Sequence, residues 1–192
     1  MLLFLNACVR KDSRTRRLAD RLLAVLGEPV TELRLTEAVF PAADEAFLQK
    51  RDRLLAERKF DDPMFALARQ FAEADEIVIA APFWDLSFPA ALKAYLEQIN
   101  VVGVTFRYTP EGIPEGLCRA KRLYYVTTVG GDYFPREYGF GYVEALAKMF
   151  YGIPEVELIH ATGLDIVGAP VEEILLAAEK EIVRKFPPEK VR

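Results

Sequence analysis

The sequence holds few of the residues on which metal sites and disulfide frameworks depend. Among its 192 residues there are one histidine and two cysteines, Cys8 and Cys118. Cys8 follows an apolar run and Cys118 lies in a polar stretch, so the pair does not predict a disulfide framework. No metal site is expected, and a reduced, cytoplasmic location is expected for the protein.

A strong excess of positive charge and a long apolar run are also missing. The formal net charge is −4, and nucleic-acid binding usually requires a basic surface, so no nucleic-acid partner is expected. The apolar start MLLFLNACV is followed at once by the charged RKDSRTRR, which fits an opening β-strand better than a secretory signal. No run approaches the roughly 18 apolar residues that a membrane helix needs. Membrane insertion is therefore not expected.

What the sequence does contain is a regular alternation of strand and helix patterns. Apolar runs predict strands at 2–7, 30–35, 76–80, 123–128 and 156–160. Periodicity and capping residues predict helices at 13–26, within 36–60, and at 61–74, 89–100, 142–151 and 171–185. The segment 104–119 is too rich in Pro and Gly for a regular element. We therefore predict one three-layer α/β domain over 1–192, with a parallel sheet between helices and a helical excursion at about 36–60.

In an open parallel sheet, ligands bind beyond the carboxyl ends of the strands. The first loop of interest, residues 6–15, brings the hydroxyls of Ser13 and Thr15 to a helix N-terminus, where backbone N–H groups favour an anion. Arg14 adds positive charge. Ser13 could equally be an ordinary helix cap. Because no Walker A or G-x-G-x-x-G pattern follows the first strand, a phosphomonoester fits better than a nucleoside triphosphate or the usual dinucleotide.

The second loop, residues 82–89, holds the only tryptophan of the chain. Phe83 and Trp84 could flank a flat ring, with Asp85 accepting a hydrogen bond, or the two aromatic side chains could fill the core. The third loop, residues 127–141, contains Gly130 and Gly131, which either let backbone N–H groups approach a ligand or form a tight turn. A phosphate-binding loop, a loop with two aromatic side chains and a loop with two glycines, each at the end of a strand, together fit flavin mononucleotide (FMN).

Several motifs resemble one protein family. NACVR at 6–10 with SRT at 13–15 resembles the first phosphate loop of the flavodoxin-like NAD(P)H oxidoreductases. PFWD at 82–85 resembles the second loop of the FMN-dependent azoreductases in that superfamily. The segment GVTFRYT at 103–109 is the most specific match, and TVGG at 128–131 fits the third flavin loop.

The resemblance implies a flavodoxin-like sheet in the order 2-1-3-4-5, non-covalent FMN and a homodimer. It also implies hydride transfer from NAD(P)H to the flavin and then to a quinone or azo compound, by a ping-pong mechanism in which no side chain is the catalyst. Combined with the strand-end loops, it gives the predicted cofactor-binding residues Ser13, Arg14, Thr15, Pro82, Phe83, Trp84, Asp85, Leu86, Thr128, Val129, Gly130 and Gly131.

The chain departs from the family pattern at several positions. Azoreductases commonly carry Asn where this chain has Asp85, and Ala7 stands where a second serine is expected. Val129 and residues 132–134 also differ, so substrate preference is not carried over. His160, at the end of the fifth strand, is either structural or a contributor to the pocket. Two rival functions remain at this point: an FMN electron carrier, which would be shorter and more acidic, and a flavin-free binding module.

Overall fold

The computed structural model describes residues 1–187. Within that range the strands are β1 (Leu2–Asn6), β2 (Val30–Arg34), β3 (Glu76–Ala80), β4 (Phe106–Tyr108), β5 (Pro114–Gly116), β6 (Arg122–Thr128) and β7 (Glu155–Ala161). The main sheet is parallel and has the order β2-β1-β3-β6-β7. The predicted order 2-1-3-4-5 is confirmed, because β4 and β5 form a separate pair. Residues 188–192 of the predicted domain lie outside the described residues, and the single-domain organisation stays a prediction.

Helices cover both faces of this sheet. Over residues 1–187 they are α1 (Arg14–Leu26), α2 (Glu45–Ala56), α3 (Ala66–Glu73), α4 (Ala90–Ile99), α5 (Gly139–Leu146) and α6 (Val171–Lys185). A 3₁₀ turn precedes α3, and a π-helical turn over Ala147–Tyr151 extends α5. Of the described helices, none combines the length and the apolar character needed to cross a bilayer.

The ends of α1 follow directly from the sequence. The Ser13 side chain accepts a hydrogen bond from the backbone N–H of Arg16 at 3.2 Å, which caps the first turn. At the other end Gly27 has φ 68°, and its N–H donates to the carbonyl of Leu23. Glycine adopts this left-handed conformation without the strain that a Cβ would add. The helix is therefore fixed in length and starts at the carboxyl end of β1.

The core lies on both faces of the main sheet because successive strand residues point to opposite sides. On β1, Leu3 and Leu5 pack towards α3, α4 and α5, whereas Leu2 and Phe4 pack towards α1 and α6. β2 lies at the sheet edge and is only partly buried. Because the five strands run parallel, their carboxyl ends all open at the same edge, where the functional loops meet.

The prediction that 104–119 holds no regular element is wrong. β4 and β5 form an antiparallel hairpin with Phe106 opposite Gly116. Its turn is closed by a hydrogen bond from the Thr109 N–H to the Ile113 carbonyl, and Gly112 has φ 80°. Proline and glycine are compatible with this short hairpin because Pro114 begins its strand and Gly112 lies in the turn.

The hairpin packs very closely against the segment that follows α5. A Cβ added at Gly116 would overlap backbone atoms of Tyr151 and Gly152. Gly152 itself has φ 71°, and the N–H of Cys118 donates to the Tyr151 carbonyl at 3.3 Å. Two backbones can lie this close only where neither carries a side chain on the facing side.

Candidate functional site

A cavity of about 380 Å³ opens at the carboxyl edge of the main sheet. Its lining consists of residues 9–15, 82–84 and 128–130 together with Leu164 and Asp165. Nine of the twelve predicted cofactor-binding residues lie in this lining, and Asp85, Leu86 and Gly131 do not. The loops that sequence patterns singled out separately are therefore brought together by the strand order.

The first loop offers backbone donors rather than free hydroxyls. Ser13 is the cap of α1, as noted above, and Thr15 is buried with its Oγ1 2.6 Å from Oγ1 of Thr128. That contact joins the first loop to the third. The N–H groups of Arg14 and Thr15 lie in the first turn of α1, where helix geometry provides no carbonyl for them. The dipole of α1 adds partial positive charge at the same place.

The second loop contains a tight two-residue turn. Trp84 and Ser87 exchange two backbone hydrogen bonds, of 3.1 and 2.7 Å. Between them Asp85 and Leu86 have φ values of 51° and 63°, which is a type I′ arrangement that usually selects Asn or Gly. Asp85 and Leu86 are exposed at the tip of the turn, outside the cavity lining. The turn presents Trp84 on the cavity side.

Trp84 does not fill the core, because 39% of its surface is exposed. Phe83 is half-buried, and its ring stands nearly perpendicular to that of Phe134, with centroids 5.1 Å apart. The Phe83 N–H also donates to the carbonyl of Thr128 at 3.1 Å. Phe83 thus anchors the second loop to the third, and Trp84 is the aromatic surface that remains open to a ligand.

His160 packs against Phe134 of the third loop and does not line the cavity. Its ring lies 5.3 Å from that of Phe134, and Nη2 of Arg136 approaches its Nε2 at 3.4 Å. Burial lowers the pKa of His160, and the positive charge of Arg136 lowers it further. The imidazole is therefore held in its neutral form at physiological pH, which suits a packing role.

A fourth loop, residues 162–170 after β7, was missed by sequence reasoning. Its backbone N–H groups donate to three successive carbonyls of the third loop: Leu164 to Val129, Asp165 to Gly130, and Gly163 to Gly131. The distances are 3.3, 2.8 and 2.9 Å. Gly163, Gly168 and Pro170, which follow the fifth predicted strand, are the turn signals that the sequence offers for this loop. The fourth loop brings Leu164 and Asp165 into the cavity lining.

An ion pair crosses the cavity edge between the first and fourth loops. Nη1 of Arg14 donates to Oδ1 of Asp165 at 2.7 Å and to the carbonyl of Leu164 at 2.9 Å. The other carboxylate oxygen of Asp165 occupies the space that a Cβ on Gly130 would need. Gly130 therefore lacks a side chain where the Asp165 carboxylate lies, a requirement that its sequence context does not reveal.

Neither cysteine is expected to react readily with alkylating agents. Burial raises the pKa of Cys8, which lies in the first loop but outside the cavity lining, to about 11 and that of Cys118 to about 12. At pH 8 the thiolate fraction of Cys8 falls about 100-fold below that of a cysteine of pKa 9. Iodoacetamide labelling followed by mass spectrometry should show slow reaction at pH 8 that accelerates up to about pH 11. Labelling at pH 8 as fast as in the urea-unfolded chain would contradict this.

Comparison with known proteins places the chain in a family. The model of the flavodoxin-like fold family matches residues 1–186. An FMN-dependent NADH:quinone oxidoreductase of Coprothermobacter proteolyticus is 35% identical over 181 residues, which are 89% of each protein. A protein of the same name from Clostridium perfringens is 43% identical over 119 residues, 61% of this chain and 59% of that one.

The match to the Clostridium perfringens protein spans less than two thirds of that protein's length. Among solved structures, an azoreductase of Bacillus anthracis superposes with a TM-score of 0.83 at 27% identity, covering 96% of this chain and 97% of that one. Fold, sheet order and family match thus agree. The chain belongs to the flavodoxin-like fold family.

Proposed function

We propose that the protein is an FMN-dependent oxidoreductase that transfers hydride from NAD(P)H, through bound FMN, to quinones or azo compounds. The observation that carries this proposal is the cavity itself. It combines N–H groups at the start of α1 for which the helix provides no carbonyl, an exposed face of Trp84 and a glycine backbone at the end of β6. The names of the relatives, NADH:quinone oxidoreductase and azoreductase, support the same activity.

The residues present fit the cofactor. A volume of about 380 Å³ lies within the usual range for small-molecule pockets, roughly 300–1,000 Å³. Arg10, Lys11 and Arg14 line its first-loop end, where a phosphate would bind. Within residues 1–187, the N–H groups of Gly130 and Gly131 donate no hydrogen bond and are available to a polar ring edge.

Bound FMN would supply the redox chemistry, because its ring accepts a hydride from NAD(P)H and passes it to the acceptor. The chain's own residues then have positioning roles. Amides of the first turn of α1 would hold the phosphate. Trp84 would lie against the ring, and Phe83 would keep the second loop in place through its contacts with Phe134 and Thr128. The N–H groups of Gly130, which lines the cavity, and of its neighbour Gly131 would stabilise negative charge at the pyrimidine edge of the ring. Because donor and acceptor would share one cavity, a ping-pong order follows.

The assembly and location are also proposals. We infer a homodimer acting in the cytoplasm, with residues 1–192 forming one domain that carries a helical excursion at 36–60. The family resemblance supports the dimer. So do the exposed apolar side chains in and around the β4–β5 hairpin, which are Val102, Tyr108, Ile113 and Leu117.

One spectroscopic experiment tests the proposed activity. The purified protein should be yellow or become so with FMN, lose its visible absorption on anaerobic addition of NADH or NADPH, and regain it when a quinone is added. A protein that takes up no FMN would exclude both flavin functions. A flavin that neither nucleotide bleaches would leave the electron carrier. Running both nucleotides side by side also establishes the preferred donor.

A further inference from the structure

We propose that Asp165 limits how strongly the cavity binds a phosphate group, because its carboxylate competes with the phosphate for Arg14. The inference rests on the proposed function and extends it. It names a residue outside the predicted cofactor set that determines how well the site distinguishes a phosphorylated flavin from an unphosphorylated one.

The first observation is which hydrogen bonds the Arg14 guanidinium makes. Its Nη1 donates to both Oδ1 of Asp165, at 2.7 Å, and the Leu164 carbonyl, at 2.9 Å. Within residues 1–187, its Nε and Nη2 donate no hydrogen bond. Arginine can bind a phosphate through two parallel N–H groups. Arg14 is therefore available to an anion in the cavity, but only in competition with the carboxylate that already holds it.

The second observation is how firmly Asp165 is placed there. Its N–H donates to the carbonyl of Gly130 at 2.8 Å, and its carboxylate lies over Gly130 in the space of the missing side chain. The backbone of Asp165 is thus tied to the third loop. Its side chain is nevertheless 71% exposed, so the ion pair can separate when a ligand competes for Arg14.

The third observation is the charge balance. Three cationic side chains line the cavity, Arg10, Lys11 and Arg14, against two carboxylates, Asp12 and Asp165. A phosphomonoester carries about −1.5 to −2 at neutral pH. A carboxylate of like charge beside it opposes binding directly and also neutralises the arginine that would attract it. Asparagine at 165 would keep an oxygen acceptor for Arg14 while removing the charge.

The test compares FMN with riboflavin, which has the same ring and no phosphate. The full chain and its Asp165→Asn variant are titrated with each flavin by fluorescence quenching. The ratio of the riboflavin Kd to the FMN Kd should rise about tenfold in Asp165→Asn, as expected for removal of one like charge close to the phosphate. Riboflavin affinity should change much less than FMN affinity, because riboflavin lacks the phosphate. In 0.5 M salt the rise should shrink, since salt screens exposed charges.

Asp132→Asn is the matched control, because Asp132 is an exposed carboxylate of the third loop that lies outside the cavity lining. An equal rise of the Kd ratio in Asp132→Asn would overturn the proposal, because the net charge of the protein would then explain the effect. An unchanged or lower Kd ratio in Asp165→Asn would overturn it too. Asp165 would then have no effect on phosphate binding, or would favour it by orienting Arg14. If the wild type binds neither flavin, the proposed function falls as well. Asp165→Ser serves as the second variant if Asp165→Asn does not fold.

Discussion

A Gly116→Ala variant is expected to lose about 3 kcal/mol of unfolding free energy, the upper end of typical overpacking effects. The added methyl group would overlap backbone atoms of Tyr151 and Gly152. A flexible side chain could turn away from such a contact, but a backbone segment cannot. Gly152 is itself held at φ 71°, and the neighbouring hydrogen bond from Cys118 to Tyr151 fixes the approach. The hairpin would have to separate from the end of α5.

Gly131→Ala is the matched control for this variant. Among residues 1–187, and apart from its chain neighbours, the atom nearest to its added Cβ would be the Tyr133 backbone nitrogen, at 4.0 Å. Its backbone needs no left-handed conformation. The control should stay within about 0.5 kcal/mol of the wild type. Urea unfolding followed by circular dichroism measures both. Equal stability of the two variants would show that the hairpin moves apart easily.

Replacing Trp84 with alanine is expected to weaken FMN binding about 10- to 100-fold, because burying a large aromatic surface against a ligand contributes roughly 1.5–3 kcal/mol. The fold should survive, since the indole is 39% exposed and the turn around it is closed by backbone atoms of Trp84 and Ser87. Flavin titration gives the affinity, and thermal unfolding of the flavin-free protein gives the stability.

Tyr133→Ala separates a specific contact from a general loss of aromatic surface. Tyr133 is 75% exposed and does not line the cavity, so its removal should leave FMN affinity within about twofold, as for a surface substitution. For Trp84→Ala, the result that would contradict the prediction is an unchanged FMN affinity together with a melting temperature lowered by many degrees. In that case the indole would be part of the core in solution.

The sheet could be predicted from sequence because buried parallel strands read as short apolar runs. The predicted span for β3 coincides with Glu76–Ala80, and β1 differs from its prediction by one residue. The β4–β5 hairpin was missed because propensity disfavours Pro and Gly in strands, whereas here the positions of Pro114 and Gly112 suit them. The start of α5 was placed too late for a related reason, since Gly139 and Gly141 disfavour a helix locally.

The site was predictable to the extent that it depends on strand ends. Residues of the first three loops that line the cavity could be singled out because each loop combines unusual residue types with the end of a strand. Asp165 was not, because its partner Arg14 is 151 residues away in sequence and nothing local marks the pair. Likewise, the hydroxyl contact between Thr15 and Thr128 exists only once β1 and β6 lie on either side of β3. Which hydroxyl remains free for a ligand is a tertiary property.

The three hydrogen bonds between residues 129–131 and 163–165 use main-chain atoms alone. Substitutions at Val129 or Leu164 can therefore change the shape and polarity of the cavity while the frame that holds it is inherited intact. A family built on this arrangement can change which molecule the cavity accepts one side chain at a time. Architecture and specificity are in that sense free to evolve separately.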